Sequence, residues 1–481
     1  MAGIVGTDAT DPDIIDRMLS KLRHRGKTKT LLAQGKYLLG CCESETAPNR
    51  KKQLSVNGKA VVIDGCLFNN EKGDLSDAEV VLDSYETLGE EFAGVLDGNF
   101  TFALVDGDTL ILARDLLGVK PLYYGERDGD FFFASEAKSL VDLVDYVKEF
   151  PPGHVYSSRE GFRDYRWVVE TPDFDGPEEA ASILADLLDR ATEKRMRDPA
   201  IEASFLSGGI DSSVIACLAK QYKPDLMTFV VGVEGSEDVA KARVVSSYLG
   251  TKHYEYIYTR KDIEEVLPET IYFMESFCKD YLRSAPAQLM GGRWVAGYTS
   301  GILCGEGGDE LLAGYPEFKE AQSEEQLDEL IGKTISISHN TTLQRCERMN
   351  AASSLEFRTP FLDRAVVDFC RKIPPRWKVY GDEQIEKWIL RKAFIDRLPE
   401  EIVWRTKSEF SRGAGSIDTM VVRAENLISD EEFSRERHTP EGLVLRSKEE
   451  LHYYRIFKQH FPHPDLTGIV GLWDPLEREP W

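Results

Sequence analysis

An apolar strand that runs straight into Ser-Gly-Gly and then into a helix leaves few folds open, and SFLSGGIDSSVIA, residues 204–216, reads that way. Where the strand ends at Leu206, the backbone N–H groups of Ser207, Gly208 and Gly209 converge with a helix N-terminus. That arrangement favours phosphate oxygens. The glycines let the backbone approach an anion closely, and the hydroxyls of Ser207, Ser212 and Ser213 add donors. Asp211 would repel phosphate unless a divalent cation lay between them, which makes it a candidate Mg²⁺ ligand. Ser-Gly-Gly alone also fits a ligand-free turn, and the surrounding pattern decides between the two. G-x-x-x-x-G-K-[ST] is absent, so this is not a Walker loop.

From about residue 175 onward, short apolar strands alternate with helices. ASFL leads to a helix from Ser212, LMTFVVG to EDVAKARVVSSYLG, HYEYIY to DIEEVLPETIYFME, and GILCG to a helix after Asp309. This rhythm predicts a doubly wound parallel α/β sheet, in which ligands sit at the carboxyl ends of the strands. The remainder reads as helical and irregular. Residues 2 to about 150 differ: KYLLGCC, KAVVIDGCLF, FTFALVDGDTLILAR and PLYYGERDGDFFFAS are strands, with hairpin turns at Asp106-Gly107 and Asp128-Gly129. They predict an α+β sandwich of antiparallel sheets. Helices are expected at DPDIIDRMLSKLRH, capped by Asp11 or Asp13, and at DAEVVLDSYETLG, capped by Ser76. Pro and Gly cluster between 150 and 179, so the expected domains are 2–170 and 176–481.

A chain of 481 residues is too long for one hydrophobic core. Its 59 basic and 83 acidic side chains give a net charge of −24. No Lys/Arg cluster is long enough to override such a surface, which excludes nucleic acid and anionic membranes as partners. Eight cysteines without a C-x-x-C pair argue against a zinc site or a disulfide framework, and Cys41 and Cys42 read as strand residues. No signal-peptide pattern opens the sequence and no run of about 18 apolar residues occurs, so a cytoplasmic address is expected.

A second glycine-rich string, CGEGGDELLAGY at 304–315, follows another short strand. Glu306, Asp309 and Glu310 fall close together, a costly cluster unless a metal or proton offsets it. Asp211 and Asp309 sharing one Mg²⁺-nucleotide would account for both strings, leaving Glu306 as a general base or orienting group. In a third string, EKWILRKAF, Lys387 and Arg391 lie four apart on one helix face, ordinarily a solvated one.

Together SGGIDSS, GEGGDELLAGY, SLEFRTPFLD (354–363), KWILR and KSEFSRGAG (407–415) resemble the synthetase domain of glutamine-dependent asparagine synthetases. FVVGVEGSED, LGTKHYE and YYRIFKQHFP extend the likeness. The resemblance implies ATP with its pyrophosphate in the 207–213 loop, Mg²⁺ on Asp211 and Asp309, and nucleoside contacts at Val231, Cys304 and Gly305. It implies attack of a carboxylate on the α-phosphate, pyrophosphate release, and displacement of AMP by an amine. Lys387 matches a lysine that stabilises developing charge, Glu306 a residue near the acyl carbon, and Arg283 an arginine close to the phosphates. A homodimer is the usual assembly of such enzymes.

The first half resembles a class II glutamine amidotransferase domain through AGIVG, LRHRG, DGNFTFALVD, ARDLLGVKPLYYG and FASEAKSL. There the chain begins, after Met removal, with a nucleophilic cysteine whose α-amine is the base. Here that position is Ala2. The Tyr-Asn-Gly-Glu string that builds the oxyanion hole and grips glutamine reads Ile63-Asp64-Gly65-Cys66, and Asp64 has the wrong sign for an oxyanion. Pro-Asp after His-Arg-Gly is Lys27-Thr28, and ETAPNRKK offers no clear glutamine-binding arginine. Asp77 still matches a contact to the substrate amine. So many separate departures indicate natural loss of the glutaminase rather than one engineered change. Cys66 reads as a buried small residue rather than a relocated nucleophile.

Three functional readings follow. The first is an ATP-dependent ligase making an amide from a carboxylate such as L-aspartate and free ammonia. The second is a β-lactam synthetase-like or macrolactam-forming ligase, against which Glu306 stands, because a tyrosine occupies its place in the β-lactam enzymes. The third is a non-catalytic nucleotide-binding subunit, which the presence of Asp211, Asp309 and Lys387 disfavours. The family's Asp-Arg-Met-Ser-Met string is Glu347-Arg348-Met349-Asn350-Ala351 here, which leaves the carboxylate open.

Overall fold

A computed structural model describes residues 1–11, 13–44, 51–69, 75–167, 169–407 and 417–472. The expected glutamine-binding segment 45–50 and most of KSEFSRGAG, from 408 on, lie outside the described residues.

Twelve strands form two antiparallel sheets in the first half. They are β1 (Ala2–Thr7), β2 (Thr28–Gln34), β3 (Tyr37–Glu43), β4 (Gln53–Val56), β5 (Lys59–Leu67), β6 (Gly98–Asp106), β7 (Thr109–Arg114), β8 (Tyr123–Arg127), β9 (Asp130–Ala134), β10 (Lys148–Glu149), β11 (His154–Ser157) and β12 (Gly161–Asp164). The orders are β10-β8-β9-β1-β3-β2 and β12-β11-β7-β6-β5-β4. Alternate residues of β5 serve two cores: Ala60 and Val62 face the other sheet with Ile4, Leu39 and Cys41, while Val61 and Ile63 pack outward with Phe92 and Phe102. Strands covered on both faces read as continuous apolar runs. Both Asp-Gly hairpins form, β6 pairing β7 from Asp106↔Thr109 and β8 pairing β9 from Arg127↔Asp130. Cys41 and Cys42 lie on β3.

Helix α1 (Asp13–Ser20) is shorter than its expected 14 residues, and the Asp11 side chain accepts from Asp13 N at 3.0 Å. Helix α2 (Asp77–Leu88) begins at the expected cap: the Ser76 hydroxyl accepts from Glu79 N, and Glu79 Oε2 accepts from Ser76 N at 2.7 Å.

In the second half, β13 (Ile201–Phe205), β14 (Met227–Gly232), β15 (Lys252–Ile257), β16 (Gly301–Leu303) and β17 (Glu356–Arg358) form a parallel sheet in the order β15-β14-β13-β16-β17. The chain builds outward from β13 to β15, then returns to the other side of β13 with β16. The crevice beyond the carboxyl ends of β13 and β16 is therefore a topological switch point. Strand β17, inside SLEFRTPFLD, lies in the region expected to be helical and irregular. Three residues paired on one side only carry too little periodicity to be read from sequence. Helices α3 (Pro177–Met196) and α4 (Ile210–Tyr222) pack on the sheet through Leu184, Leu188, Val214 and Leu218. A further core spans both halves, joining Val5, Ile15, Met18 and Phe132 to Val231, Ile271, Met349 and Phe457. No helix among the described residues is long and apolar enough to cross a membrane.

Because the capping box fixes the first turn of α2, Ser76→Ala is expected to cost about 1 kcal/mol. A lower midpoint in chemical denaturation of the full chain checks this, and an unchanged midpoint contradicts it.

Candidate active site

The loop after β13 folds onto itself. Ser207 N donates to Ser212 Oγ at 3.1 Å, the two hydroxyls lie 3.1 Å apart, and Gly209 N reaches Ser207 Oγ at 3.4 Å. Gly208 is left-handed, φ 71°, and a Cβ there would come 2.5 Å from the Lys241 backbone. Helix α4 starts at Ile210, two residues before the expected Ser212, with Gly209 as its extended cap. Asp211 thus falls in the first helical turn.

Four glycines of the second string let it close over Asp211. A Cβ on Gly305 would meet the Asp211 and Ser212 backbone at 2.9 Å, and one on Gly308 would lie 2.6 Å from Asp211 Oδ1. Gly307 is left-handed at φ 96° and begins the short helix Gly308–Leu311. A Cβ on Gly314 would collide with Asp309 and with the Lys387 side chain. The two carboxylates face one another, and the Lys387 ammonium lies between them, hydrogen-bonded to Asp211 and 2.5 Å from Asp309 Oδ1. Lys407 Nζ holds the other Asp309 oxygen at 2.6 Å. Burial alone would raise the Asp309 carboxyl, but Lys387 and Lys407 outweigh it and hold the group below the usual carboxylate range. Burial would likewise lower the Lys407 ammonium, and Asp309 and Asp211 instead raise it.

The expectation of one solvated helix face for Lys387 and Arg391 is corrected. Lys387 stands before the helix Trp388–Phe394 in a left-handed conformation, φ 54°, and both side chains are buried. The backbone turn aims Lys387 at the aspartates. Arg391 turns to Glu386 Oε1 at 2.7 Å and to backbone carbonyls.

These groups line a cavity of about 320 Å³ at the switch point. Leu206, Ser207, Gly209, Asp211, Ser212, Val231, Cys304, Gly305, Glu306, Asp309, Lys387 and Arg283 all contribute to it. Gly208 and Ser213 do not. Gly208 packs on Lys241, and Ser213 is buried. Glu306 is oriented by an arginine: Arg345 Nη2 donates to its Oε1 at 2.7 Å, while Arg345 Nη1 donates to Ser284 Oγ at 2.8 Å. Glu310 is raised by burial, then by Glu306 and Asp309, and takes a hydrogen bond from Tyr315 at 2.7 Å. Arg283 is clasped by Glu449, with Nη2 to Oε2 at 2.7 Å, and Tyr453 donates to Glu449 at 2.8 Å. Arg345, Glu449 and Lys407 escaped the sequence reading as site residues. The first two are far from any glycine loop in sequence, and only KSEFSRGAG pointed toward the third.

Asp211 Oδ1 is buried without a hydrogen-bond partner, and a Cβ on Gly308 would crowd it, which fits a cation drawn against that oxygen. Among the described residues no three His, Cys, Asp or Glu side chains converge as a metal site. Two carboxylates suit Mg²⁺ that takes its remaining oxygens from substrate phosphates and water.

In the first half, the positions matched to glutamine chemistry are occupied from within. Ala2 is buried, and its carbonyl accepts from Arg25 Nε at 3.1 Å. Asp64 lies 3.1 Å from Arg25 Nη2 and 3.7 Å from Lys120 Nζ. Gly65 has φ 121°, where a Cβ would strike Asn99 O, and its carbonyl takes the Lys52 ammonium. The same ammonium sits 2.5 Å from Asp77 Oδ2, and Leu67 N donates to Asp77 Oδ1 at 2.9 Å. Asp77, matched in sequence to a substrate-amine contact, is paired with Lys52. Cys66 is buried opposite Asn99 on β6. Glu347 and Arg348, whose string left the carboxylate open in sequence, point into this same region and do not line the cavity.

The asparagine synthase family model matches residues 184–340 and 322–470, and the glutamine amidotransferase domain model matches residues 1–158. The chain belongs to the asparagine synthetase family. It is 35% identical over 427 residues to "Asparagine synthetase [glutamine-hydrolyzing] 2" of Arabidopsis thaliana, covering 82% of this chain and 72% of the relative. It is 34% identical to the Triphysaria versicolor asparagine synthetase (84% and 75%) and 30% identical to a probable asparagine synthetase of Dictyostelium discoideum (95% and 92%). As a member of this family the chain is an ATP-dependent amide-forming ligase with an amidotransferase-type first domain.

Because Lys52 and Asp64 fill the amidotransferase pocket, Ala2→Cys alone is expected to release no glutamate from glutamine above background. Glutamate production by that variant would contradict the self-filled pocket.

Proposed function

We propose that this asparagine synthetase family member adenylates L-aspartate, releases pyrophosphate, and passes the acyl group to free ammonia, with residues 2–170 as a non-hydrolysing domain and 176–481 as the ligase. The observation that carries this reading is the convergence of Asp211, Asp309 and Lys387 beside the Ser207–Ser212 loop. The loop N–H groups and hydroxyls bind the β- and γ-phosphates, while Val231, Cys304 and Gly305 border the nucleoside. A Mg²⁺ ion held by Asp211 and Asp309 supplies charge neutralisation on the phosphoryl oxygens. Lys387, able to leave its aspartates, stabilises charge on the α-phosphoryl as a carboxylate oxygen attacks phosphorus and pyrophosphate departs. Arg283, held by Glu449, neutralises the departing pyrophosphate.

The amine then attacks the acyl carbon and AMP leaves. Glu306, oriented by Arg345, accepts the proton that the attacking amine sheds. The buried acids and paired arginine of this subsite suit a small zwitterion such as aspartate, whose ammonium and carboxylate need opposite partners. Ammonia rather than glutamine is the nitrogen source because Lys52, Asp64 and Ala2 leave the first domain neither a nucleophile nor an open amine subsite.

Pyrophosphate release from Mg-ATP and L-aspartate tests this in three mixes: no nitrogen source, ammonium, and glutamine. Pyrophosphate with asparagine in the ammonium mix alone is expected. Turnover with glutamine contradicts the silent first domain, and none with any mix moves the enzyme to another carboxylate. Lys387→Met is expected to lower the rate on the order of a hundredfold or more, as loss of one preorganised charge-stabilising donor does. Asp309→Asn is expected to raise the magnesium concentration needed for nucleotide binding, measured by titration at fixed ATP.

A further inference from the structure

The helix Thr342–Ala351 carries active-site and interdomain contacts within three residues. Arg345 turns to the cavity and holds Glu306 and Ser284. Glu347, about 200° further round the helix, turns to the first domain, where its Oε1 accepts from Arg25 Nη1 at 2.9 Å and lies 3.7 Å from Lys120 Nζ. Arg348 follows with Glu136 at 2.8 Å and Glu275 at 3.0 Å. Arg25 completes its shell with Asp64 and Glu136, and Arg25, Asp64, Glu136, Glu347 and Arg348 are sealed from solvent.

Nine of the helix's ten residues are buried, yet its central run is Gln-Arg-Cys-Glu-Arg. Thr341 makes no side-chain cap bond to it. A buried apolar helix can shift along its groove with small loss, whereas buried charges tolerate only the register that pairs them. Burial pushes the Glu347 carboxyl up against the pull of Arg25 and Lys120, so the contact is an expensive one to hold for stability alone.

We propose that the amidotransferase-like domain is a scaffold for the ligase site, with Arg25 as a positioning residue that sets the Arg345–Glu306 pair through Glu347 and the Thr342–Ala351 helix. The role rests on the reading of Glu306 and Arg345 given above. Arg25 never meets substrate. It fixes where the acyl subsite's arginine stands, while the phosphate loop, built on β13 and α4, does not depend on it.

The test uses the full chain with Arg25→Met, Arg25→Lys and Glu347→Gln. Aspartate-dependent ATP–pyrophosphate exchange in the first and third is expected to slow on the order of a hundredfold, the scale of an ångström's misplacement. The Mg-ATP dissociation constant stays unchanged, and Arg25→Lys recovers part of the rate. Hydrogen exchange across 342–351 accelerates in both impaired variants. Wild-type exchange kinetics in both, or a rate loss that merely follows loss of ATP binding, overturns the proposal. If Arg25→Met does not fold, Glu347→Gln decides, since it leaves Arg25 two carboxylates. If the parent chain does not turn over aspartate, the functional reading fails separately. Hydrogen exchange at 342–351 still tests the scaffold, and unchanged protection there overturns it.

Discussion

Two carboxylates brought face to face in a crevice are unstable without a cation, and Asp211 and Asp309 are such a pair. Two like unit charges 4 Å apart repel by about 4 kcal/mol at an effective dielectric constant near 20. That is a large part of the net stability of a domain, about 5–15 kcal/mol. Lys387 supplies the cation, and the local structure bends to let it. Its own backbone is left-handed, Gly314 leaves room for its stem, and Lys407 takes the second oxygen of Asp309. The glycines of both strings follow from the same need, because a Cβ at 305 or 308 would hold the second loop off Asp211. The charge between the aspartates is thus carried by a side chain of the protein itself.

The first domain uses charge in the opposite way. Lys52 satisfies Asp77 and the Gly65 carbonyl, and Arg25 and Lys120 satisfy Asp64. Each pairing is internal and shut off from water. The sealed cluster shares single cations among several carboxylates. Such a cluster cannot open without exposing unpaired charge in low dielectric.

What was legible in the sequence depended on how local the determinant was. Ser76 announces its capping box within four residues, the Asp-Gly turns announce their hairpins, and the Ser-Gly-Gly loop between strand and helix announces the crevice. Lys387 was legible as a residue but not as a geometry, since helical spacing gives no sign of a left-handed residue just ahead of the helix. The pairing of Asp77 with Lys52 was not legible, because two charged residues 25 apart carry no sign that they meet. Strand β17 and the Glu347–Arg25 contact, across 322 positions, were equally silent. Pairing across a fold is set by topology, which periodicity does not encode.

The amidotransferase-like domain makes a joint with the ligase half that reaches the wall of the cavity. Val231 lines the cavity and also belongs to the apolar cluster that runs into the first domain through Val5, Ile15 and Phe132. Met349, on the helix that carries Arg345, belongs to the same cluster. The wall of the ligase site is therefore continuous with the core of its neighbour. Removing the first domain would uncover that apolar surface and strip Glu347 and Glu356 of the Arg25 and Lys120 cations that pair them. A glutaminase can lose its nucleophile one substitution at a time at little cost to folding. The surface it shares with the ligase admits no such piecemeal loss.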